Sequence, residues 1–254
     1  MSLAGKIVIV TGAGKGIGLA ISQHLLERGA SVGMLIRDQS RAENGFHDLL
    51  ERHQQNILVL QADAGIREQV RESFNQVNRH FGRIDGLVNN AQAANNGNPF
   101  ESFTDEDFEV SLRSGLWSTI YCSQEVFPYM KENNSGSVVN TTSSTSLQGF
   151  PGGSGYVATK GAIMSLTRTV AREWGKYGIR VNCYAPSAMS ENAQKFFEGR
   201  PERLKKITDP IAFGRLGDPL EDVAPAVGFL LSDDSKFVTG QMFSVCGGQY
   251  LSPM

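Results

Sequence analysis

Short runs of β-branched and aliphatic residues recur along the chain, and each is followed by a longer stretch in which apolar residues return every three or four positions. The runs at 6–10, 31–36, 57–61, 84–88, 136–141 and 179–183, with a last one near 241–245, read as strands. Segments 17–28 and 66–81 read as crossover helices; in the second, Val70, Phe74, Val77 and Phe81 share one face. This alternation predicts an α/β fold, a parallel sheet with helices on both faces, formed by 1–254 as one domain. The rhythm breaks at 187–214, where Phe196-Phe197 and the charged stretch Arg203-Leu204-Lys205-Lys206 suggest a mobile substrate lid.

Thr104-Asp105-Glu106-Asp107 resembles an acidic cluster but fits a helix start better, with Thr104 as cap and Asp107 three positions on. The four histidines, His24, His47, His53 and His80, have no metal-ligand spacing and are expected on solvated helix faces.

With 254 residues, 40% of them hydrophobic, the chain can bury a large core without disulfides or metals. A net charge of −2 provides no field for nucleic acid or anionic lipid, which leaves a small molecule as the expected partner. Cys122, Cys183 and Cys246 are far apart, so buried thiols are expected rather than a disulfide framework or a metal site. No run is long enough for a membrane span, and Ile7-Val8-Ile9-Val10 is too short for a signal-peptide core. The expected compartment is the cytoplasm.

After the first strand comes Thr11-Gly12-Ala13-Gly14-Lys15-Gly16-Ile17-Gly18, running into a helix. Glycines there let the backbone approach a pyrophosphate, whose charge the helix N-terminus meets; Gly12, Lys15, Gly16, Ile17 and Gly18 are the candidate contacts. The loop lacks the GK[ST] ending of a P-loop, which argues against a kinase or ATPase. At the end of the second strand, an acidic residue would bind the ribose hydroxyl of NAD(H). That position is Ile36, followed by Arg37, so Arg37 with Lys15 favours NADP(H), and NAD(H) is the alternative. The competing role for Arg37 is an ordinary surface pair with Asp38.

Tyr156 and Lys160 stand one helical turn apart on one face, where a cation favours the phenolate and lowers a pKa near 10. Ser143 stands thirteen positions before Tyr156 and follows a strand, so its hydroxyl can emerge at the carboxyl edge of the sheet beside the phenol.

Taken together, TGxxxGIG at 11–18, Asp63, Asn89-Asn90-Ala91, Ser143, Tyr156-x-x-x-Lys160, Arg180-Val181-Asn182 and Pro186 resemble the short-chain dehydrogenase/reductase family over nearly the whole chain. The resemblance implies a Rossmann-type, seven-stranded sheet and an oxidoreductase that interconverts a carbonyl and a secondary alcohol. It implies cofactor contacts at Asp63, Asn89, Ala91, Tyr156, Lys160 and Pro186, catalysis by Ser143, Tyr156 and Lys160, no metal, and a homotetramer or homodimer. The chain departs from the family pattern at Gln92, Gly115, Ser187 and Glu191, where glycine, the asparagine of the catalytic tetrad, glycine and threonine are expected. Gly115 cannot hold a water with a side chain; the vacated space is expected to admit water directly, or else the glycine serves close packing. These departures motivate the alternative of a non-catalytic dinucleotide-binding sensor or structural subunit. Residues 92–98, Leu147 to Gly153 and the lid are the candidate substrate walls, with Phe150, Met189, Phe196 and Phe197 suggesting an apolar or alicyclic ketone or alcohol.

Overall fold

Each of the seven β-branched runs forms a strand in the computed structural model. The structure describes residues 2–42 and 44–251, except the side chains of Arg41, Asn44, Glu191, Asn192 and Phe196. The strands are β1 (Ile7–Thr11), β2 (Ser31–Ile36), β3 (Ile57–Gln61), β4 (Gly86–Asn89), β5 (Gly136–Thr141), β6 (Ile179–Pro186) and β7 (Met242–Val245). The sixth runs three residues past its expected end at 183, because Tyr184 to Pro186 continue the pairing with β7. All pair in parallel in the order β3-β2-β1-β4-β5-β6-β7. The order reverses direction between β1 and β4, and a doubly wound sheet opens its ligand crevice at the carboxyl ends of the strands beside such a point.

Helices α1 (Gly16–Glu27), α2 (Asn44–Arg52) and α3 (Arg67–Phe81) connect the first four strands. After β4, α4 (Asp105–Ser111) passes through a π-turn at Leu112–Trp117 into α5 (Ser118–Glu132). The remaining helices are α6 (Thr145–Gln148), α7 (Ser154–Trp174), α8 (Glu191–Phe197), α9 (Pro201–Thr208) and α10 (Ala224–Leu231). Thr104 and Asp107 form the expected capping box at the start of α4.

Two apolar clusters flank the sheet. One joins Leu19, Ile21 and Leu25 of α1 to Phe46, Val227 and Leu230; the other joins Val70, Phe74 and Val77 of α3 to Cys122, Val126 and Met130 of α5. With both faces covered, β1 and β5 are buried at every position; β1 reads as a continuous apolar run, while β5 buries Ser137, Asn140 and Thr141 beside Val138 and Val139. Cys122, Cys183 and Cys246 are unpaired and buried, as expected.

His24 corrects the sequence expectation. It is 6% exposed on the inner side of α1, its Nε2 has no hydrogen-bond partner, and burial lowers its pKa. Helix α1 lies between the sheet and α10, so the side expected to be solvated is covered. Among the described residues, no helix is long and apolar enough to cross a membrane, and no group of three or more His, Cys, Asp or Glu side chains could hold a metal.

Candidate active site

The glycine loop is held in place by the residues that follow β4, the neighbour of β1 in the sheet. Thr11 Oγ1 accepts hydrogen bonds from the backbone amides of Asn90 (2.9 Å) and Ala91 (3.0 Å), and Asn90 Nδ2 donates to the Thr11 carbonyl at 3.0 Å. Gly18 is obligatory in this arrangement, since a Cβ there would stand well under 3.0 Å from the Gly12 carbonyl oxygen. Helix α1 then starts at Gly16 with its N-terminus facing the crevice, and the Lys15 side chain makes no capping bond. Such a cradle of close-packed backbone at a helix N-terminus fits a dinucleotide's pyrophosphate.

One cleft gathers Gly12, Gly14 and Lys15 with Ile36, Arg37 and Asp38, then Asp63, Ala91 and Gln92. Lys15 and Arg37 are both exposed. Asp38 accepts hydrogen bonds from Ser40 N at 3.0 Å and Ser40 Oγ at 2.6 Å, while no hydrogen bond or ion pair of the Arg37 side chain occurs among the described residues. Asp63 accepts from Gly65 N at 2.8 Å and so shapes its turn.

Not every expected contact faces the cleft. Asn89 is buried beneath it, donating to Asn140 Oδ1 at 2.8 Å, and Asn140 donates to Thr167 Oγ1 at 2.9 Å. Its side chain braces the sheet and α7. Ile17 packs its side chain on the core, so only its backbone is available to a phosphate. Gly16, Gly18 and Pro186 lie outside the cleft lining, Pro186 at the carboxyl end of β6.

The triad assembles on α7 and the turn after β5. Ser143 is 8% exposed and shares a hydrogen bond of 2.8 Å with Thr145 Oγ1. The Ser143 hydroxyl also acts on the Tyr156 phenol, lowering its pKa. Lys160 is fully enclosed; its Nζ donates to the Thr141 carbonyl at 2.9 Å and stands 5.6 Å from the centre of the Tyr156 ring. Thr142 Oγ1 donates to the Lys160 carbonyl at 2.9 Å, and Thr141 Oγ1 donates to the buried Tyr184 hydroxyl at 3.0 Å. Sequence reasoning missed Thr141, Thr142 and Tyr184; the position of the two threonines immediately before Ser143, at the end of β5, is the signal that could have found the first two.

Electrostatics corrects another expectation. Burial raises the Tyr156 pKa, with the Ser143 hydrogen bond working in the other direction, and burial lowers Lys160 from 10.5 to about 7. Burial is the largest influence on the Tyr156 phenol, and it disfavours the phenolate.

Two of the departures meet. Gly115 lies in the π-turn between α4 and α5, and a Cβ on it would stand well under 3.0 Å from Gln92 Oε1 and 2.5 Å from Thr159 Cγ2. The vacated space is therefore filled by the Gln92 carboxamide rather than open to water. Gln92 Nε2 donates to Ala93 O at 2.6 Å and Ser111 O at 3.2 Å, and Ser114 Oγ ties the same loop by donating to Ala93 O at 2.9 Å. Ser187 Oγ donates to Gln249 Oε1 at 2.6 Å. The side chains of Glu191 and Phe196 lie outside the described residues.

The candidate walls touch: Gly97 N donates to Gly152 O at 2.7 Å, and Leu147 and Phe150 are exposed beside them. Phe197 and Met189 line a hollow within the 187–214 segment, together with Leu204 of α9.

A family profile described as enoyl-(acyl carrier protein) reductase matches residues 12–249. The chain belongs to the short-chain dehydrogenase/reductase family. It is 34% identical to the 12alpha-hydroxysteroid dehydrogenase of Clostridium sp. (strain ATCC 29733 / VPI C48-50) over 98% of both chains. It is also 34% identical to the levodione reductase of Leifsonia aquatica, over 96% of this chain and 94% of that protein. Among solved structures, ElxO with NADP bound superposes with a TM-score of 0.90 at 31% identity, covering 96% of this chain and 98% of that one. A 3-ketoacyl-(acyl-carrier-protein) reductase from Brucella melitensis complexed with NADH gives 0.89 at 28% identity, covering 98% and 99%. The protein is thus an oxidoreductase of this family, with a fold suited to a nicotinamide dinucleotide.

Proposed function

We propose that this protein interconverts an alicyclic ketone and the corresponding secondary alcohol, prefers NADP(H) over NAD(H), and uses Tyr156 as its general acid and base. The observation that carries the reading is Lys160, buried one helical turn from Tyr156 with its Nζ 5.6 Å from the ring centre, together with the Ser143 hydroxyl that lowers the phenol's pKa. The departures at Gln92, Gly115 and Ser187 leave this triad intact, which favours catalysis over a sensor role.

When bound, the cofactor supplies or accepts the hydride at the substrate carbon. Ser143 orients the substrate oxygen by hydrogen bonding, and Tyr156 gives its hydroxyl proton to that oxygen in reduction or takes it in oxidation. Lys160 returns the proton to tyrosine. Its pKa near 7 lets it hold or release a proton close to neutral pH.

Arg37 supports the NADP(H) preference, since it follows β2 directly, exposed in the cleft, and Ile36 supplies no carboxylate to repel a phosphate. The alicyclic class is supported by exposed Leu147 and Phe150 beside the triad and by the likeness to a hydroxysteroid dehydrogenase. Residues 187–214 act as a lid in this reading, hinged beside the bridge between Ala188 and Gly217. Self-association is supported by the exposed Trp117, stacked on Tyr121 at 5.7 Å, and by the exposed Phe213 and Leu251. Three unpaired buried thiols accord with the cytoplasm.

The test is a panel of cyclic ketones and alcohols offered with NADPH, NADH, NADP and NAD, read at the nicotinamide absorbance. Turnover of ring-borne substrates with the phosphorylated cofactor is expected. Turnover confined to acyclic substrates, or to NAD(H), would overturn the corresponding part of the reading.

A further inference from the structure

The segment 187–214 has both of its ends against one short turn of the chain. Strands β6 and β7 finish side by side, with Ser187 N donating to Val245 O at 3.0 Å. Past Val245 the backbone reverses through Gly247 and Gly248, whose φ angles of 57° and 83° lie in the left-handed region that favours glycine, and Gln249 N closes the turn on Cys246 O at 3.0 Å. The reversal carries the Gln249 side chain back to the start of the segment. There Ser187 Oγ donates to Gln249 Oε1 at 2.6 Å.

The same turn also holds the far end. Phe213 N donates to Gly247 O at 3.2 Å, a Cβ on Gly247 would stand 3.0 Å from Cγ2 of the buried Ile211, and one on Gly248 would stand 2.8 Å from Ala212 Cβ. Behind this contact, Gly217 N donates to Ser187 O at 2.9 Å and Met189 N to Gly217 O at 2.8 Å, the bridge that pairs Ala188 with Gly217. A loop whose ends are pinned together moves as one body about that point rather than by fraying from either side.

Most of these ties are backbone bonds, which any sequence could make. The bond between Ser187 and Gln249 belongs to this sequence, because the glycine expected at 187 has no hydroxyl to offer. Both residues are half-buried, and neither lines the cofactor cleft. Either orientation of the Gln249 amide preserves the pair, since a hydroxyl both donates and accepts.

We propose that Ser187 and Gln249 form a clasp through which the C-terminal turn seats the 187–214 segment over the substrate, so that Gln249 is a positioning residue of the reaction. The proposal rests on the lid role given above to that segment. Substrate is bound productively by the fraction of molecules whose lid is seated; loosening the clasp lowers this fraction and raises the apparent KM, while the triad on α7 and after β5 is untouched.

The test compares Ser187→Ala, Gln249→Leu, the double variant and Gln249→Glu, which keeps an oxygen to accept from Ser187. Hydrogen exchange of the protein without cofactor is read first, peptide by peptide. Exchange within 187–214 is expected to quicken roughly fivefold in each of the first two variants, the scale of one lost hydrogen bond, and no further in the double variant. Peptides from β1 and β4 should keep wild-type rates, and Gln249→Glu should match wild type throughout. With the substrate found in the panel and saturating cofactor, KM is expected to rise roughly fivefold in Ser187→Ala and Gln249→Leu with kcat within about twofold. Unchanged exchange in both single variants overturns the clasp, as does acceleration spread over the whole sheet, which marks a general loss of stability. Additive acceleration in the double variant overturns the pairing of the two side chains. Faster exchange in 187–214 with unchanged KM overturns the positioning role. If the unmodified protein turns over nothing in the panel, the proposed function and the positioning role fall together, and the clasp is still decided by exchange.

Discussion

Lys160 donates its Nζ proton to the carbonyl of Thr141 at 2.9 Å from a position 2% exposed. This is the deepest charge in the site, and one carbonyl dipole offsets only part of the hydration it has lost.

That burial makes stability depend on pH. Lys160 has its pKa lowered from 10.5 to about 7, so between these values the unfolded chain binds a proton that the fold does not, and stability rises with pH through the window. Burial raises the Cys122 thiol above its ordinary 9.0 and raises Tyr156 as well, so above 9.0 the unfolded chain loses protons the fold retains, and the trend is opposed. Without cofactor, the protein is expected to melt at a higher temperature at about pH 8.5 than at about pH 7. Lys160→Met should abolish most of this rise. An equal rise in the variant, measured by calorimetry, would assign it to other groups.

Tyr156→Phe removes the phenol oxygen and keeps the ring. Turnover is expected to fall at least about 100-fold, the usual scale for losing a general acid, while cofactor affinity changes little. Steady-state kinetics and fluorescence titration of the cofactor read the two quantities on one preparation. Near wild-type kcat would remove the assigned mechanism.

Arg37 and Lys15 stand in the cleft as exposed cations. Arg37→Asp should weaken NADP(H) binding roughly tenfold or more and leave NAD(H) binding unchanged or improved, because a charge-assisted pair is replaced by repulsion. Titration of all four cofactor forms checks this. A uniform loss across them would indicate a folding defect instead.

The strands were legible because a sheet covered on both faces favours short, largely apolar and β-branched runs, and the α4 start was legible because a capping box is a local device. His24 was not. Helix α1 is covered by the sheet and by α10, so the polar side that places a histidine in water is absent, and Ile21 three positions earlier already turns that face inward. The glycine loop and the Tyr156, Ser143 and Lys160 group could be read from spacing, since each lies at the end of a strand or on one helix face. What holds Lys160 was less visible, because a backbone carbonyl such as that of Thr141 carries no sequence signature.

Gln92 and Gly115 are separate departures in the sequence and neighbours in the fold. Their relation lies outside what spacing within one element reveals, since one belongs to the loop after β4 and the other to a π-turn. A methyl at position 115 would be driven against the Gln92 oxygen and the Thr159 methyl. Neither neighbour has room to retreat: the Gln92 amide is tied to Ala93 O and Ser111 O, and Thr159 is fully buried on α7. Gly115→Ala is therefore expected to destabilise by about 1–3 kcal/mol, the scale of overpacking, despite alanine's better helix propensity. Shortening the opposing side chain should relieve it. Gln92→Ala alone leaves a gap and loses the donations to Ala93 O and Ser111 O; combined with Gly115→Ala, the methyl enters that gap, so the two effects should be less than additive by roughly 1 kcal/mol or more. Chemical denaturation of the wild type, both single variants and the double variant gives the coupling directly. Additive effects would show that the two positions do not share one space, and the assignment of Gln92 as the group that excludes a side chain from position 115 would fail with them.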